Sequence, residues 1–250
     1  MRTQQADVIF ETGRQISRTS VIVPLYNYAH HIEATLESVL AQSDRDVSLI
    51  VVDDCSTDRS IEVVSHWMRR RSDCGMGLKL IRNRSNARLA ITRNTGISCA
   101  QSDYCFMLDA DNLLYPRCIE KHAKALDARP DVGAAYSLLE VFEGRRGVIG
   151  AGVFLKPALI HGNFIDAMAI FRRSLLLEFD GYEDIQYGWE DYDLWLRMSE
   201  AGKAALHIPE ITARYRQHNT SMLRTETNIG KNINELHKIM KKRHPWLDLH

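Results

Sequence analysis

Two aspartates, Asp109 and Asp111, stand one residue apart directly after the apolar run CFML. Alternate residues of a turn at a strand end can point to the same side, so these two carboxylates can share one hard cation. Mg²⁺ and Mn²⁺ prefer oxygen ligands and complete their coordination with water and substrate phosphates. The pattern Asp109-Ala110-Asp111 therefore predicts a divalent-metal site, although a capped turn with solvated acids also explains an isolated pair of this kind.

A second acidic pair, Asp53 and Asp54, follows the apolar run VSLIVV. Asp54 can accept a hydrogen bond from a nucleobase N–H group. The next residues, Ser56, Thr57 and Asp58, are of the types that cap a helix. Capping explains one of these residues, but it does not explain two acids directly after a buried strand.

Glu190 and Asp191 precede an amphipathic pattern, DLWLRMSEAG. Acids in the first turn of a helix interact favourably with its dipole, which is one interpretation. The other is a general base, because a carboxylate beside aromatic rings is partly desolvated and therefore more basic. Tyr187 and Trp189 would then form an apolar floor for a sugar ring.

Basic side chains are candidates for binding phosphate groups near these acids. Arg93, near the start of a helical pattern, can pair with phosphate or hold one of the acids. Arg216 and His218 are candidates for pyrophosphate contact, and His218 also for metal ligation. An exposed helical arginine and an ordinary surface or core histidine are the alternatives.

Strands and helices that alternate along the first 130 residues must position these groups. This alternation predicts a parallel sheet covered on both faces, in which ligands bind beyond the carboxyl ends of the strands. The second half predicts a mixed arrangement of strands and one helix within the same single domain. The predicted strands are 20–27, 47–54, 78–83, 104–108, 133–142 and 167–173, with a helix at 192–202 and an extended segment at 203–217.

Composition excludes several classes of protein. The 250 residues carry 32 basic and 32 acidic side chains, so no global field points to nucleic acid. The five cysteines are irregularly spaced, which disfavours a disulfide framework or a zinc site. No apolar run approaches the ~20 residues that a membrane helix needs, and the first residues have no signal-peptide core. We therefore predict a cytoplasmic protein.

Six motifs together resemble the family 2 glycosyltransferases of GT-A fold, and they come in the order of that family. The resemblance spans about residues 19–222. It implies an α/β fold with a Rossmann-like, mainly parallel sheet sandwiched by helices. The motifs are VIVPLYN, LIVVDDCSTD, TRNTGI, FMLDADN, GWEDYDLWLR and YRQHNTSM.

The resemblance also implies a site for the nucleotide of a sugar donor. Asp54 would read the base, and Arg93 would lie near the diphosphate. Arg88 and Thr92 depart from the family pattern, which often has Gly and Ala at these positions. The implied nucleotide-binding residues are Pro24, Tyr26, Asn27, Asp54, Arg93, Asp109, Ala110 and Asp111.

Metal and catalytic roles follow from the same resemblance. Asp111 would coordinate Mn²⁺ or Mg²⁺, Asp109 would support ribose or metal, and His218 would complete the metal or diphosphate contacts. Asp191 would deprotonate the acceptor hydroxyl, and Glu190 would help to hold that site. A single base across the sugar ring suits one in-line displacement with inversion.

The implied activity is a metal-dependent inverting hexosyltransferase for polysaccharide or cell-envelope glycan synthesis. The donor would be a UDP-sugar, and the acceptor a saccharide or lipid-linked saccharide. A D-x-D phosphatase or phosphotransferase is one alternative, and a non-catalytic nucleotide-sugar-binding subunit is another. The domain would span residues 19–222, with a nucleotide-binding half (19–130) and an acceptor half (131–222).

The two ends of the chain are predicted to lie outside this domain. Residues 1–18 are polar and predict an extension, and residues 223–250 predict a helical tail. Apolar residues recur at helical spacing in 226–243, and a basic cluster, 241–243, ends this pattern. The favoured interpretation is a helix packed on the core with a solvated basic end. A helix on the inner face of a membrane and an oligomer contact are the alternatives.

Overall fold

The computed structural model describes residues 1–218, 221 and 223–249, and this part of the chain forms one ten-stranded sheet with seven α-helices around it. The strands are β1 Ala6–Thr12, β2 Ile16–Leu25, β3 Val47–Asp53, β4 Gly77–Asn83, β5 Gln101–Met107, β6 Leu113–Leu114, β7 Val132–Phe142, β8 Gly147–Ile149, β9 Ala169–Arg172 and β10 Ala204–Arg216. The helices are α1 Ile32–Leu40, α2 Ser60–Arg70, α3 Leu89–Cys99, α4 Cys118–Asp127, α5 Arg173–Glu178, α6 Glu190–Glu200 and α7 Gly230–Arg243.

Strands β4, β3, β2 and β5 lie side by side and are parallel. Their apolar runs lack alternation because both faces of this part of the sheet are buried, as in β3, where every residue is buried. The parallel arrangement brings the carboxyl ends of β2, β3 and β5 to one edge. The predicted parallel sheet in the first half is confirmed, and the acids after β3 and β5 share that edge.

The second half extends the same sheet with mixed pairing. β9 joins β5 and β7 in antiparallel register, while β10 runs parallel to β7. The short strand β6 pairs with the end of β10, which brings Leu113 and Leu114 beside Arg214 and Ala213. Because β6 follows the D-x-D turn, this pairing fixes the turn against the end of β10.

Helices cover both faces of the sheet, as the resemblance implied. Apolar side chains of α1, α2 and α4 pack on one face, with Trp67 fully buried among them. Those of α3, α5, α6 and α7 pack on the other face, with Trp195, Leu236 and Met240 buried there. No helix in the described part of the chain is long and apolar enough to cross a membrane.

The N-terminal segment contains a strand of the sheet, which the sequence pattern does not predict. Residues 6–12, within the predicted extension 1–18, form β1 and pair antiparallel with β4 at the edge of the sheet. Phe10 packs against the core, whereas Val8 and Ile9 are exposed beside an irregularity in the pairing between Val8 and Phe10. The boundary of the domain at residue 19 stays a prediction.

The C-terminal segment forms a helix later than the apolar spacing indicated. A π-helical turn, Leu223–Thr227, precedes α7, which begins at Gly230. Leu236 and Met240 are buried against the core, while Lys241 and Lys242 are exposed. The structure therefore has a packed helix with an exposed basic end, in which Arg243 also binds Asp193.

Gly96, in the TRNTGI motif, allows α3 to approach the sheet closely. A Cβ atom at this position would lie 2.4 Å from Cγ2 of Ile22, a stiff side chain in the core. We expect Gly96→Ala to lower the free energy of unfolding by about 1–3 kcal/mol, since the overlap outweighs the better helix propensity of alanine. Urea unfolding would measure it. Gly230→Ala, where an added Cβ meets no atom within 4 Å, is the control, and an equal effect of both substitutions would contradict this account.

Candidate active site

The candidate site lies at the carboxyl ends of β2, β3 and β5, where the sheet edge meets the start of α6. Asp54 follows β3, and Asp109 and Asp111 follow β5. Ala110, between them, is buried, and its carbonyl oxygen accepts a hydrogen bond from Thr35 Oγ1 at 2.9 Å. This bond from α1 fixes the turn that carries both acids.

Arg93 is the centre of the site. Its side chain is buried, and its guanidinium donates to Asp109 Oδ1 at 2.8 Å and to Glu190 Oε1. Its charge lies 5.4 Å from the ring centroid of Tyr182. Burial alone would lower the pKa of Arg93, but Asp109 and Glu190 hold it above its usual range. Arg93 is therefore not an exposed helical arginine, and its side chain holds two acids.

Asp111 is buried beside a histidine. Its Oδ2 lies 2.8 Å from His218 Nε2, and its main-chain carbonyl accepts from Arg216 Nε at 2.8 Å. Burial and the neighbouring Asp109 raise the pKa of Asp111 to about 6, while His218 opposes this rise. Asp111 and His218 are therefore in contact, and Asp109 lies close enough to Asp111 to raise its pKa, while the metal role of these three residues stays a prediction.

Asp54 organises the loop after β4. Its carboxylate accepts from Asn83 Nδ2 at 2.7 Å and from the main-chain N–H groups of Ala87 and Arg88, both at 2.9 Å. Arg88 has φ 73° and ψ 164°, a conformation that favours glycine. The departure from the family pattern at Arg88 thus falls on a strained residue, held by Asp54 and by an ion pair with Asp184 at 3.0 Å.

The turn after β2 places the other predicted nucleotide-binding residues. Pro24 is buried in β2, and Tyr26 is 44% exposed beyond its end. Asn27 accepts from the main-chain N–H of Thr57 at 2.8 Å, so it joins this turn to the segment before α2. Tyr26 therefore presents an exposed aromatic ring on which a base could stack.

A strained turn precedes the predicted catalytic pair, Glu190 and Asp191. Tyr187, Gly188 and Trp189 have φ values of 73°, 112° and 65°, and α6 begins at the next residue. Consecutive residues in this region are costly, and such strain is concentrated at functional sites. The turn buries Glu190 against Arg93 and leaves Asp191 half-buried.

Asp191 accepts hydrogen bonds from neutral donors, whereas the neighbouring Glu190 binds the guanidinium of Arg93. Its Oδ1 accepts from its own helix at Tyr192 N, at 2.7 Å, and its Oδ2 accepts from Asn163 Nδ2 at 3.0 Å. Burial and the adjacent Glu190 raise the pKa of Asp191 to about 7, while Arg93 opposes this rise. A carboxylate of this basicity suits proton abstraction near neutral pH.

The end of the chain anchors α6. Asp193 is fully buried and accepts from Arg197 Nε at 2.7 Å, Arg243 Nε at 2.6 Å and His244 Nε2 at 3.1 Å. The other ring nitrogen of His244 lies 2.8 Å from Glu200 Oε1. Both nitrogens therefore face carboxylates, which favours the charged imidazolium and raises the pKa of His244.

Trp189 receives support from the same C-terminal helix. Its ring stacks on His237 of α7, with centroids 5.6 Å apart. One face of the indole is therefore occupied by the protein. The role of Trp189 and Tyr187 as a floor for a sugar ring stays a prediction.

Other residues at the site carried no signal in the sequence. Asn163 and Asp166 lie in the segment before β9, between the recognised motifs. Burial raises the pKa of Asp166 to about 8, with Asp109 and Asp191 adding to the effect, which places its carboxylate near theirs. Only the tertiary structure brings these two side chains to the site. The last motif is partly outside the described residues, because Asn219, Thr220 and Met222 are not among them.

A metal could bind here only with help from a ligand. Within 1–218, 221 and 223–249, no three His, Cys, Asp or Glu side chains form a group that could hold a metal ion alone. Mg²⁺ and Mn²⁺ often take one or two carboxylates and complete their shell with substrate phosphates and water. Asp109 and Asp111, whose carboxylates are close enough for one to raise the pKa of the other, fit that kind of site.

The chain belongs to glycosyl transferase family 2, whose family model matches residues 20–178. It is therefore a glycosyltransferase, and the predicted family, fold class and enzyme class are confirmed. EpsE of Bacillus subtilis (strain 168) is 30% identical over 214 residues, which cover 83% of this chain and 76% of EpsE.

Solved structures agree with the fold. The crystal structure of S. aureus TarS 1–349 in complex with UDP-GlcNAc superposes with a TM-score of 0.76 at 19% identity, covering 93% of this chain and 68% of that one. The mannosyltransferase PcManGT from Pyrobaculum calidifontis, in complex with GDP-Man and Mn²⁺, gives 0.63 at 23% identity, covering 83% of this chain and 59% of that one. At these identities the likeness shows the fold alone.

Removing the Arg93 charge should unbalance the centre of the site. We expect Arg93→Ala to lower the free energy of unfolding by about 3–5 kcal/mol, because Glu190 would remain buried without its cation. Chemical denaturation would measure the loss. Arg84→Ala, which breaks an exposed pair with Asp7, should have no measurable effect. Equal stability of the two variants would rule out this role for Arg93.

The His244 anchor should make stability depend on pH. Burial alone would lower the pKa of His244, but Asp193 and Glu200 raise it above 6.5. Its contribution is then fully present below pH 6.5 and is lost as the pH rises through the raised value. The difference in unfolding free energy between wild type and His244→Gln should shrink across that range. His66→Gln, at an exposed position, is the control, and a difference that grows with pH would contradict the assignment.

Proposed function

We propose that this protein is a metal-dependent inverting glycosyltransferase that moves a sugar from a nucleoside diphosphate to an acceptor hydroxyl. The observation that carries the proposal is the Arg93 bridge. It joins Asp109 of the D-x-D turn to Glu190, beside Asp191. The bridge thereby brings Asp109, the proposed diphosphate-binding acid, and Asp191, the proposed base, to one edge of the sheet. Transfer between a donor and an acceptor requires both groups at one site.

The proposed donor is a UDP-sugar. Tyr26 offers an exposed ring beside the carboxyl end of β2. Oδ2 of Asp54 accepts from one main-chain donor, Arg88 N, and can accept a further hydrogen bond. The TarS complex contains UDP-GlcNAc, and the PcManGT complex contains GDP-Man. Both nucleotides therefore belong in the test.

The proposed cofactor is Mn²⁺ or Mg²⁺, held by Asp109, Asp111 and His218. When bound, it would offset the negative charge that develops on the leaving diphosphate. The PcManGT complex contains Mn²⁺. The raised pKa of Asp111 supports the assignment, because a second negative group beside Asp109 is stabilised by added positive charge.

Asp191 is the proposed base. Its carboxylate would take the proton of the acceptor hydroxyl as that oxygen attacks the anomeric carbon, while the bond to the diphosphate breaks. Glu190 is neutralised by Arg93 and so serves to place Arg93 and the start of α6. One base opposite the leaving group gives a single displacement, and the anomeric configuration inverts.

The acceptor is proposed to be a saccharide or a lipid-linked saccharide in glycan synthesis. The segment between β8 and β9 reaches Asp191 through Asn163, so it would border the acceptor. Residues 19–222 remain the proposed transferase domain, and membrane contact through α7 or an oligomer contact remain hypotheses. Lys241 and Lys242 of the tail are exposed and would make such contacts.

Nucleotide binding should depend on the metal and on Asp111. Each of UDP, dTDP, GDP, ADP and CDP would be added with Mn²⁺ and with EDTA while thermal unfolding is followed. At ~100-fold excess over Kd, a ligand of the folded state adds ~2.7 kcal/mol of stability. We expect the melting temperature to rise with UDP and Mn²⁺, and the rise to vanish with EDTA and in Asp111→Asn. Asp103→Asn, at an exposed position, should keep it.

Other outcomes would decide between the alternatives. A rise with GDP alone would change the donor but keep the transferase. No rise with any diphosphate would overturn the proposed site. Binding with neither transfer nor donor hydrolysis would indicate a non-catalytic subunit, and phosphate release from p-nitrophenyl phosphate would indicate a phosphatase.

A further inference from the structure

The segment 150–165, here called the strap, lies between β8 and β9 and passes over α6. Leu159, at the end of its single 3-10 turn, is fully buried, and its carbonyl oxygen accepts from the hydroxyl of Tyr192. Ile165, at its other end, is also buried. The strap is therefore fixed at two points, and Asn163 lies between them.

The amide of Asn163 has a defined orientation. Its Oδ1 accepts from the main-chain N–H of Ile165 at 3.1 Å, and its Nδ2 donates to Asp191 Oδ2 at 3.0 Å. A main-chain N–H can only donate, so the oxygen of the amide must face Ile165. The NH₂ group must then face the carboxylate.

We propose that Asn163 is a positioning residue that holds the Asp191 carboxylate in the orientation needed to take the proton of the acceptor hydroxyl. This inference rests on the proposed function of Asp191. With Oδ1 bound to Tyr192 N and Oδ2 bound to Asn163, the carboxylate is held on both oxygens. Catalysis depends on such fixed geometry, because small misplacements of a reacting group cost large factors in rate.

Asn163 also supplies a neutral donor where the surroundings are mostly negative. A hydrogen bond to the charged form of an acid favours that form. Donation from Asn163 therefore keeps Asp191 available as a base, against the charge of its acidic neighbours. The charged and titratable groups that face Asp191 are Glu190 on α6, Arg93 on α3, Asp109 after β5, Asp166 before β9 and Tyr182 before α6.

The Asn163→Asp variant separates this role from a merely structural one. The aspartate keeps an oxygen to accept from Ile165 N, so the local turn is retained. It removes the donor to Asp191 and places a negative charge there instead. Asn163→Ala removes both bonds. Asn234→Asp, the same substitution at an exposed position of α7, is the control.

Two measurements test the proposal. The first is the titration of Asp191, followed by carbon NMR of labelled aspartate carboxylates and assigned through Asp191→Asn. We expect its midpoint to rise by about one pH unit or more in Asn163→Asp, because a like charge disfavours the ionised form. The second is the pH profile of UDP release from UDP-glucose with water as acceptor. We expect kcat to fall about tenfold or more, with its acidic limb moved to higher pH and KM unchanged.

The outcomes distinguish this inference from the function on which it rests. If Asn163→Asp keeps the wild-type Asp191 midpoint, pH profile and kcat while Asp191→Asn is inactive, the role of Asn163 is overturned. The role of Asp191 as the base is then kept. Full activity of Asp191→Asn would overturn the base itself. A loss in Asn163→Asp that comes with a lower melting temperature and an unchanged midpoint would show a structural role only.

Discussion

The buried charge of Arg93 is the constraint on which the rest of the site depends. A guanidinium loses its hydration when it is buried, and only close carboxylates offset that cost. The two carboxylates come from distant parts of the sequence, the turn after β5 and the first residue of α6. The sheet must therefore hold the first half and the second half of the chain in one fixed relation, and α3 must lie close to β2, which Gly96 allows.

Several acids near Arg93 have shifted pKa values. Burial and neighbouring acids raise the pKa values of Asp111, Asp166 and Asp191. Groups with such shifts are concentrated at functional sites, where a cationic ligand or a proton acceptor is needed. By contrast, Asp193 lies two residues from Asp191, but its basic partners hold its pKa at about 2 although burial alone would raise it. The first turn of one helix thus carries an acid whose pKa is raised and another whose pKa is lowered.

Sequence patterns predicted most of the fold because each depends on local periodicity. Continuous apolar runs marked β3 and β5, and helical spacing marked α1 and α6. The sequence does not predict the edge strand β1, because its apolar residues Val8, Ile9 and Phe10 show no regular alternation with polar ones. The choice for Arg93 between phosphate and acids also stayed open, because the sequence does not show which carboxylates fold against it.

The sequence by itself determined the family, the fold class and the motifs that carry the acids, because these depend on residue types at short spacing. The tertiary structure decided which of them meet. It paired Arg93 with Asp109 and Glu190, gave the tail a role in fixing α6, and brought Asn163 to Asp191. These contacts join residues far apart in the chain, and their existence depends on strand order and helix packing, which no local spacing records.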